Sequence, residues 1–141
     1  MKRVFLDTNV LLDAMETSRE RHANAKAVLQ LAASGRIEAV VSAQSLLDLA
    51  YIYTKGQKVR LAQLKTLLPY LDRIFTVRET TRRTLLMAAS HFTDDLEDAA
   101  QAFIAADAGC ELIVTSDRTF DDPFGLPLVS PDAFCKEFFD D

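Results

Sequence analysis

The sequence predicts an α/β fold, a three-layer α/β/α sandwich around a central, mostly parallel sheet of four to five strands. Two observations favour this fold. Short apolar runs, such as residues 4–6 and 112–114, have the length of buried strands and are too short for helices. Longer segments with apolar residues at helical spacing separate these runs. Such alternation implies right-handed crossovers and a sheet that is covered on both faces.

Each predicted strand is a short apolar segment, bounded by polar residues, glycine or a helical pattern. The strands comprise residues 4–6, 37–41, 74–77, 112–114 and 126–129. Helices are predicted where apolar residues recur every three or four positions. They comprise residues 19–34, 43–54, 59–71, 79–90 and 131–139, and a segment that begins after Thr93 or Asp94 and ends before Gly109.

The predicted helix over residues 43–54 has an unusual composition. From Ala43 to Tyr53, Asp48 is its only formal charge among mostly apolar neighbours. A helix that is apolar on most sides is expected to be buried on most sides. A carboxylate there needs a partner or a cleft, because a lone buried charge costs several kcal/mol. Asp48 is therefore a candidate functional residue.

Length and composition indicate one domain over residues 1–141. The chain is 49% hydrophobic and 26% charged, as in an ordinary globular protein. No apolar run approaches the roughly 18–20 residues of a membrane helix, and the N-terminus lacks a secretory signal. We therefore expect a cytoplasmic protein without membrane contact. Cys110 and Cys135 stand apart in the sequence and are expected to be buried thiols.

The net charge of −5 argues against a generic nucleic-acid-binding protein, which is usually basic. It leaves open an enzyme that neutralises an acidic site with metal and contacts its substrate through local basic residues. Two basic clusters are candidates for that contact, although both also fit a solvated helix face. They are Lys55, Lys58, Arg60 and Lys65, and Arg78, Arg82 and Arg83.

Oxygen-bearing side chains follow two of the predicted strands at the point where each strand ends. They are Asp7, Thr8 and Asn9 after the first strand, and Thr115, Ser116 and Asp117 after the fourth. The carboxyl ends of parallel strands are where open α/β sheets bind ligands. We therefore expect the two aspartates to meet at one edge of the sheet.

A further acid, Asp98, lies early in the helix that ends before Gly109. Helix capping and the favourable interaction of acids with a helix start explain most of the acidic residues around it, Glu97 included. Asp98 lies beside the apolar face of that helix, and capping explains it least. We expect Asp98 and Asp48 to approach the same edge of the sheet as Asp7.

Four converging carboxylates would repel one another, and their pKa values would rise. Arg118 is the only basic residue in the motifs. A hard divalent cation resolves this repulsion, since Mg²⁺ or Mn²⁺ prefers carboxylate and water oxygens. Such a cation activates water and stabilises the charge that develops in phosphoryl transfer. The sequence therefore predicts a divalent-cation site for phosphoryl chemistry.

Three stretches of the chain resemble the PIN domain. They are DTN at residues 7–9, LED at residues 96–98 before an alanine-rich helix, and IVTSD at residues 113–117. The resemblance extends from the first strand to the last helix, which VSP introduces at residues 129–131. It implies the three-layer α/β/α fold and an endoribonuclease that depends on Mg²⁺ or Mn²⁺.

The resemblance also implies roles for particular residues. Asp7, Asp98 and Asp117 match family acidic positions and would hold the cation. Asp48 stands where the family usually has a glutamate, and its shorter arm would orient or deprotonate the attacking water. The residues expected to support the carboxylates are Thr8, Asn9, Thr115 and Ser116.

Family proteins of this size are often toxins of type II toxin–antitoxin pairs, of the VapC type. The resemblance therefore implies an RNA substrate and a small antitoxin partner, and we also expect a homodimer. The alternative is a catalytically weak or inactive PIN-like module that binds RNA or protein, which the acidic charge and the shorter Asp48 favour. A phosphoaspartyl phosphatase with Asp7 as nucleophile fits less well, because that chemistry usually needs a second acid where Asn9 stands.

Overall fold

The computed structural model describes residues 1–139 and shows a five-stranded sheet covered by helices. The strands are β1 (Lys2–Leu6), β2 (Ile37–Ser42), β3 (Phe75–Arg78), β4 (Leu112–Val114) and β5 (Leu128–Val129). They lie in the order β3-β2-β1-β4-β5, and every neighbouring pair is parallel. The predicted fold class is confirmed, and the sheet is parallel throughout this part of the chain. Residues 140 and 141, at the end of the predicted domain, lie outside the described residues.

The helices alternate with the strands as the sequence predicts, with small shifts at their ends. They are α1 (Thr8–Met15), α2 (His22–Ala33), α3 (Ala43–Thr54), α4 (Lys58–Ile74), α5 (Arg82–His91), α6 (Leu96–Asp107) and α7 (Pro131–Phe139). Within residues 1–139, no helix has both the length and the apolar character needed to cross a membrane.

The two faces of the sheet are buried under different helices. Val4 and Leu6 point into the larger core, with Val10 and Val28 from α1 and α2 and with Phe134 from α7. Phe5 lies on the opposite face, in the core formed with Ala102 and other residues of α6. Side chains along a strand alternate between its two faces, so β1 contributes to both cores. Cys110 and Cys135 are buried free thiols, as expected.

Helix α1 was not predicted from the sequence. It begins directly after Asp7, which occupies the N-cap position, although its side chain makes no capping hydrogen bond. Val10, Leu11 and Leu12 are buried against the core. Since an isolated eight-residue helix is unstable in water, this tertiary packing stabilises α1.

The prediction that α3 is buried on most sides is wrong. Only Ser45 and Leu49 are buried along it, whereas Leu47 and Tyr51 are 65% and 69% exposed. One narrow face of α3 therefore packs on the protein, and a broad apolar face is left in contact with solvent. Asp48 lies between these two faces and is half-buried.

The chain path places the ends of β1 and β4 side by side. From β1 the chain moves outward to β2 and β3, and it then returns to the other side of β1 to form β4 and β5. The order of the strands therefore reverses between β1 and β4. Open α/β sheets bind ligands in the crevice at such a reversal, outside the carboxyl ends of the strands.

Candidate active site

A cavity of about 500 Å³ opens where β1 and β4 end. Its lining contains six carboxylates and, among the described residues, no basic side chain; we call it the acidic cavity. The carboxylates belong to Asp7, Asp48, Asp95, Glu97, Asp98 and Asp117. All four acids singled out in the sequence thus border one cavity.

Asp7 is held in place by the neighbouring strand. Its backbone N–H donates to the carbonyl of Val114 at 3.0 Å, which extends the pairing of β1 with β4. The hydroxyl of Thr115 donates to Asp7 Oδ2 at 2.8 Å. Burial raises the pKa of Asp7, the Thr115 hydrogen bond opposes this shift, and the charge of Asp117 adds to it. The environment of Asp7 therefore disfavours its charged form.

Thr115 also orients Asp117. The same hydroxyl oxygen accepts a hydrogen bond from the backbone N–H of Asp117 at 3.1 Å. The carboxylate of Asp117 accepts from the backbone N–H and the hydroxyl of Thr119, at 2.9 and 2.8 Å. One threonine thus connects the two aspartates at the strand ends, and such fixed partners limit the ways in which a carboxylate can turn.

Asp98 projects from the start of α6. Asp95 caps this helix by accepting from the backbone N–H of Asp98 at 3.0 Å. Burial raises the pKa of Asp98 to about 6, a weak hydrogen bond from the backbone of Asp121 opposes the shift, and the charges of Asp95 and Asp7 add to it. The protonation of Asp98 is therefore sensitive to pH near 6.

Asp121, which the sequence did not single out, anchors the segment that precedes α6. Its carboxylate accepts hydrogen bonds from the backbone N–H groups of Thr93, Asp94 and Asp95 at 2.9–3.1 Å, and from the Thr93 hydroxyl at 2.8 Å. Burial alone would raise the pKa of Asp121, but these hydrogen bonds outweigh it and hold the pKa at about 2. Asp121 thereby fixes the entry to α6 relative to the loop after β4.

Glu97 was also not predicted as a site residue, because the sequence analysis explained it by the helix start. In the structure it borders the acidic cavity and shares a hydrogen bond with Asp48. Burial, the charge of Asp48 and this hydrogen bond all raise the pKa of Glu97. Asp48 also accepts a hydrogen bond from Gln44, whose Nε2 lies 3.0 Å from Asp48 Oδ1. A glutamate from α6 therefore lies beside the aspartate from α3.

The other predicted supporting residues have different surroundings. Thr8 shares a 2.7 Å hydrogen bond with the hydroxyl of Ser45, which ties α1 to α3 rather than to a carboxylate. Asn9 borders the acidic cavity and is exposed. Ser116 lies outside the lining of this cavity, and its hydroxyl oxygen is buried without a hydrogen-bond partner within residues 1–139.

The predicted basic clusters are partly engaged in ion pairs. Arg60 pairs with Glu16 and stacks over Tyr53, 4.3 Å from the ring centre. Arg78 and Arg83 both lie within 4 Å of Asp107. These contacts favour the interpretation of the clusters as solvated helix faces.

The donor set of the acidic cavity suits a hard divalent cation. Carboxylate oxygens are the protein ligands that Mg²⁺ and Mn²⁺ prefer, and the acids repel one another without a counterion. Within residues 1–139, no three acidic, histidine or cysteine side chains are close enough to enclose an ion. This open arrangement is compatible with Mg²⁺, which usually binds one or two carboxylates and keeps several waters. The side chain of Gln101 borders the cavity, and its Oε1 is buried without a partner in this part of the chain.

Comparison with known proteins identifies related sequences and structures. A family model for the PIN domain matches residues 3–119. Ribonuclease VapC1 of Aquifex aeolicus (strain VF5) is 25% identical over 139 residues, which cover 97% of this chain and 96% of that protein.

Two solved structures share the fold. One is VapC20 of Mycobacterium tuberculosis, described as a toxin that cleaves the sarcin-ricin loop; it has a TM-score of 0.65 and 19% identity, over 83% of this chain and 92% of that one. The other is VapBC2 of Rickettsia felis, bound to a promoter DNA fragment, with a TM-score of 0.64 and 18% identity over 91% and 98% of the two chains.

We expect Asp121→Asn to lower the melting temperature at pH 7, because an amide cannot accept the four hydrogen bonds that the carboxylate accepts. The folded pKa of about 2 lies below the usual 3.8, so the charged form stabilises the protein above about pH 4, and this contribution is lost as the pH falls towards 2. The difference in melting temperature between Asp121→Asn and wild type should therefore become smaller as the pH falls over this range. Asp94→Asn, which removes an exposed acid from the same segment, is the control and should change little. An equal loss in the two variants would contradict the anchoring role of Asp121.

Proposed function

This chain belongs to the PIN domain family, and on that premise we propose that it is a metal-dependent endoribonuclease, the toxin of a type II toxin–antitoxin pair. One observation carries the proposal: Asp7, Asp48, Asp98 and Asp117, from four separate parts of the chain, border one cavity at the reversal point of a parallel sheet. The similarity to a curated ribonuclease over nearly the whole length of both chains supports it.

Asp7, Asp98 and Asp117 are the residues that would hold Mg²⁺ or Mn²⁺. When bound, the cation would lower the pKa of water and neutralise charge on the phosphoryl oxygens. The protein's own contribution is orientation. Thr115 aligns Asp7 with Asp117, and Asp95 and Asp121 fix the start of α6 that carries Asp98.

Asp48 and Glu97 would handle the proton of the attacking water. They share a hydrogen bond, and burial together with the charge of Asp48 raises the pKa of Glu97, which makes this carboxylate a better proton acceptor than an ordinary one. Attack of water on the phosphorus, with cleavage of its bond to the 3′-oxygen, would leave a 5′-phosphate and a 3′-hydroxyl.

The proposed partners are RNA as substrate, a small antitoxin protein and a second copy of the chain, in the cytoplasm. The VapC20 structure is described as that of a toxin, and both it and the VapBC2 structure share the fold. Large apolar side chains are exposed on α3 and α4, and a protein partner would remove them from water. They include Leu47, Tyr51, Ile52, Val59 and Leu61.

One observation favours the alternative of a PIN-like module that binds RNA or protein without turnover. The acids of the described chain do not enclose an ion as they stand. Incubation of the purified protein with RNA and Mn²⁺ separates the two proposals. Cleavage that chelation abolishes supports the nuclease, whereas intact RNA over a long incubation supports the binding module.

We expect Asp7→Asn and Asp117→Asn to lower RNA cleavage at least about a hundredfold, a barrier increase of about 2.7 kcal/mol. Each change removes a charged ligand while it keeps the size of the side chain. The control is Asp72→Asn, an exposed acid on α4, which should cleave like wild type. Circular dichroism checks that every variant is folded. Retention of more than about a tenth of wild-type activity would exclude that residue as a direct ligand.

Millimolar Mn²⁺ should raise the melting temperature of wild type more than that of Asp7→Asn. An ion that binds only the native state stabilises it, and here it would also offset the burial and the mutual repulsion that raise the pKa values of Asp7 and Asp98. Differential scanning fluorimetry with and without a chelator measures the shift. Equal shifts in the two proteins would place the ion elsewhere on the surface.

We expect Asp48→Ala and Glu97→Gln to lose most cleavage without loss of stability. Each change removes one member of a repelling acid pair, so the melting temperature should stay constant or rise. Asp48→Glu should retain or increase cleavage, because the longer arm keeps the carboxylate. If Asp48→Ala cleaves as well as wild type, the site functions without Asp48, and the role proposed for its pair with Glu97 is wrong.

A further inference from the structure

A second cavity, of about 610 Å³, lies beside the acidic cavity, and we call it the arginine cavity. Arg21 at the start of α2 and Arg118 in the loop after β4 line it. Asp117 lines both cavities, so the two adjoin at this residue. The volume is within the roughly 300–1,000 Å³ of pockets that hold small ligands.

Charge distinguishes the arginine cavity from the acidic one. The lining of the acidic cavity contains no basic residue within the described chain, so it repels the phosphates that flank a cleavage point. Arg21 and Arg118 are the cations that line the adjoining space. Neither guanidinium makes an ion pair or side-chain hydrogen bond within residues 1–139, and both are therefore free to bind a phosphate bidentately.

The hydroxyl of Ser116 is an independent indication of a ligand. Ser116 lines the arginine cavity, and its Oγ is buried without a hydrogen-bond partner within residues 1–139. A buried hydroxyl without a partner costs about 1–3 kcal/mol, so it is usually satisfied by something. Rotation of the Ser116 side chain about χ1 would turn this hydroxyl towards the cavity, where an occupant can supply the missing hydrogen bond.

The lining is mixed in charge, and this identifies the class of ligand. Glu20, Asp117 and Asp132 stand around the same cavity as the two arginines, and Leu128 adds an apolar surface. A bare anion would be opposed by three carboxylates. A nucleotide offers a phosphate for the guanidinium groups, amino and imino N–H groups of the base for carboxylates, and a flat face for an apolar side chain.

We propose that the arginine cavity binds an unpaired nucleotide of the RNA strand whose neighbouring phosphodiester lies in the acidic cavity. This inference rests on the proposed ribonuclease function and deepens it. The strand would pass over Asp117 from one cavity to the other, with Arg21 and Arg118 on its phosphate and Ser116 on its sugar or base. The site would thus select RNA that is single-stranded next to the cut.

Binding of fluorescein-labelled single-stranded RNA to the full chain tests the proposal. Asp7→Asn serves as the parent, so that the RNA stays intact, and fluorescence anisotropy is measured over a series of salt concentrations. Arg21→Gln and Arg118→Gln should each weaken binding by about tenfold. Each should also reduce the slope of log K against log salt by about 0.7, the value for one phosphate contact on a single strand.

Arg73→Gln is the matched control. It removes the same charge from an exposed arginine in the last turn of α4, just before β3, at the opposite edge and the opposite end of the sheet. It should leave binding and the salt slope close to those of the parent. Ser116→Ala should weaken RNA binding while its melting temperature stays constant or rises, since the change removes a hydroxyl without a partner. A purely structural serine would instead lower the melting temperature.

The outcomes separate this inference from the proposed function. If wild type cleaves RNA but the Arg21 and Arg118 variants bind like the parent, the nucleotide site is overturned and the nuclease stands. If Arg73→Gln weakens binding as much as they do, the effect is one of overall charge and the site is also overturned. If wild type neither cleaves nor binds single-stranded RNA, the proposed function fails, and the nucleotide site fails with it.

Discussion

The parallel pairing of β1 with β4 is the constraint on which the site depends. Because Leu6 pairs with Val114, the residues that follow, Asp7 and Thr115, lie side by side beyond the last rung of the ladder. The Thr115 hydroxyl then donates to one aspartate and accepts from the backbone of the other, Asp117. A shift of this register by one residue would reverse the faces of the paired side chains and break that bridge. Core packing around β1 therefore determines the geometry of the carboxylates.

The acids impose an electrostatic cost that the surrounding structure offsets. Burial and mutual repulsion raise the pKa of Asp7, Glu97 and Asp98, so charging these groups works against folding. Asp121 has the opposite role, since hydrogen bonds from three backbone N–H groups hold its pKa at about 2 and tie the entry of α6 to the loop after β4. The cluster thus combines acids whose charged forms the fold disfavours with one acid, Asp121, whose charged form stabilises the fold. A low pKa marks the anchor, and raised values mark the candidates for chemistry.

What the sequence predicted follows from local patterns, and what it missed depends on distant contacts. Asp7 and Asp117 were found because strand ends are visible as the point where an apolar run stops, and parallel strands end at one edge. Asp48 was found as a charge that its helix did not explain, although the burial expected of α3 is wrong. Glu97 and Asp121 resemble ordinary acids of a helix start and a loop, and only their partners in space distinguish them. Helix α1 was missed because packing, rather than its short sequence, stabilises it.

An acidic protein can bind RNA when the electrostatic potential at the binding site differs in sign from the net charge of the protein. The net charge of −5 governs the approach of a polyanion from a distance, but screening limits that effect to about 10 Å at 0.1 M salt. Within that distance, the charges that line each cavity determine whether a phosphate is attracted or repelled. The acidic cavity favours a cation, which would reverse its sign, and the adjoining lining offers Arg21 and Arg118. A bound cation, or the loss of one acidic charge as in Asp7→Asn, would reduce the repulsion of phosphates at the acidic cavity, so metal occupancy and strand binding would be coupled.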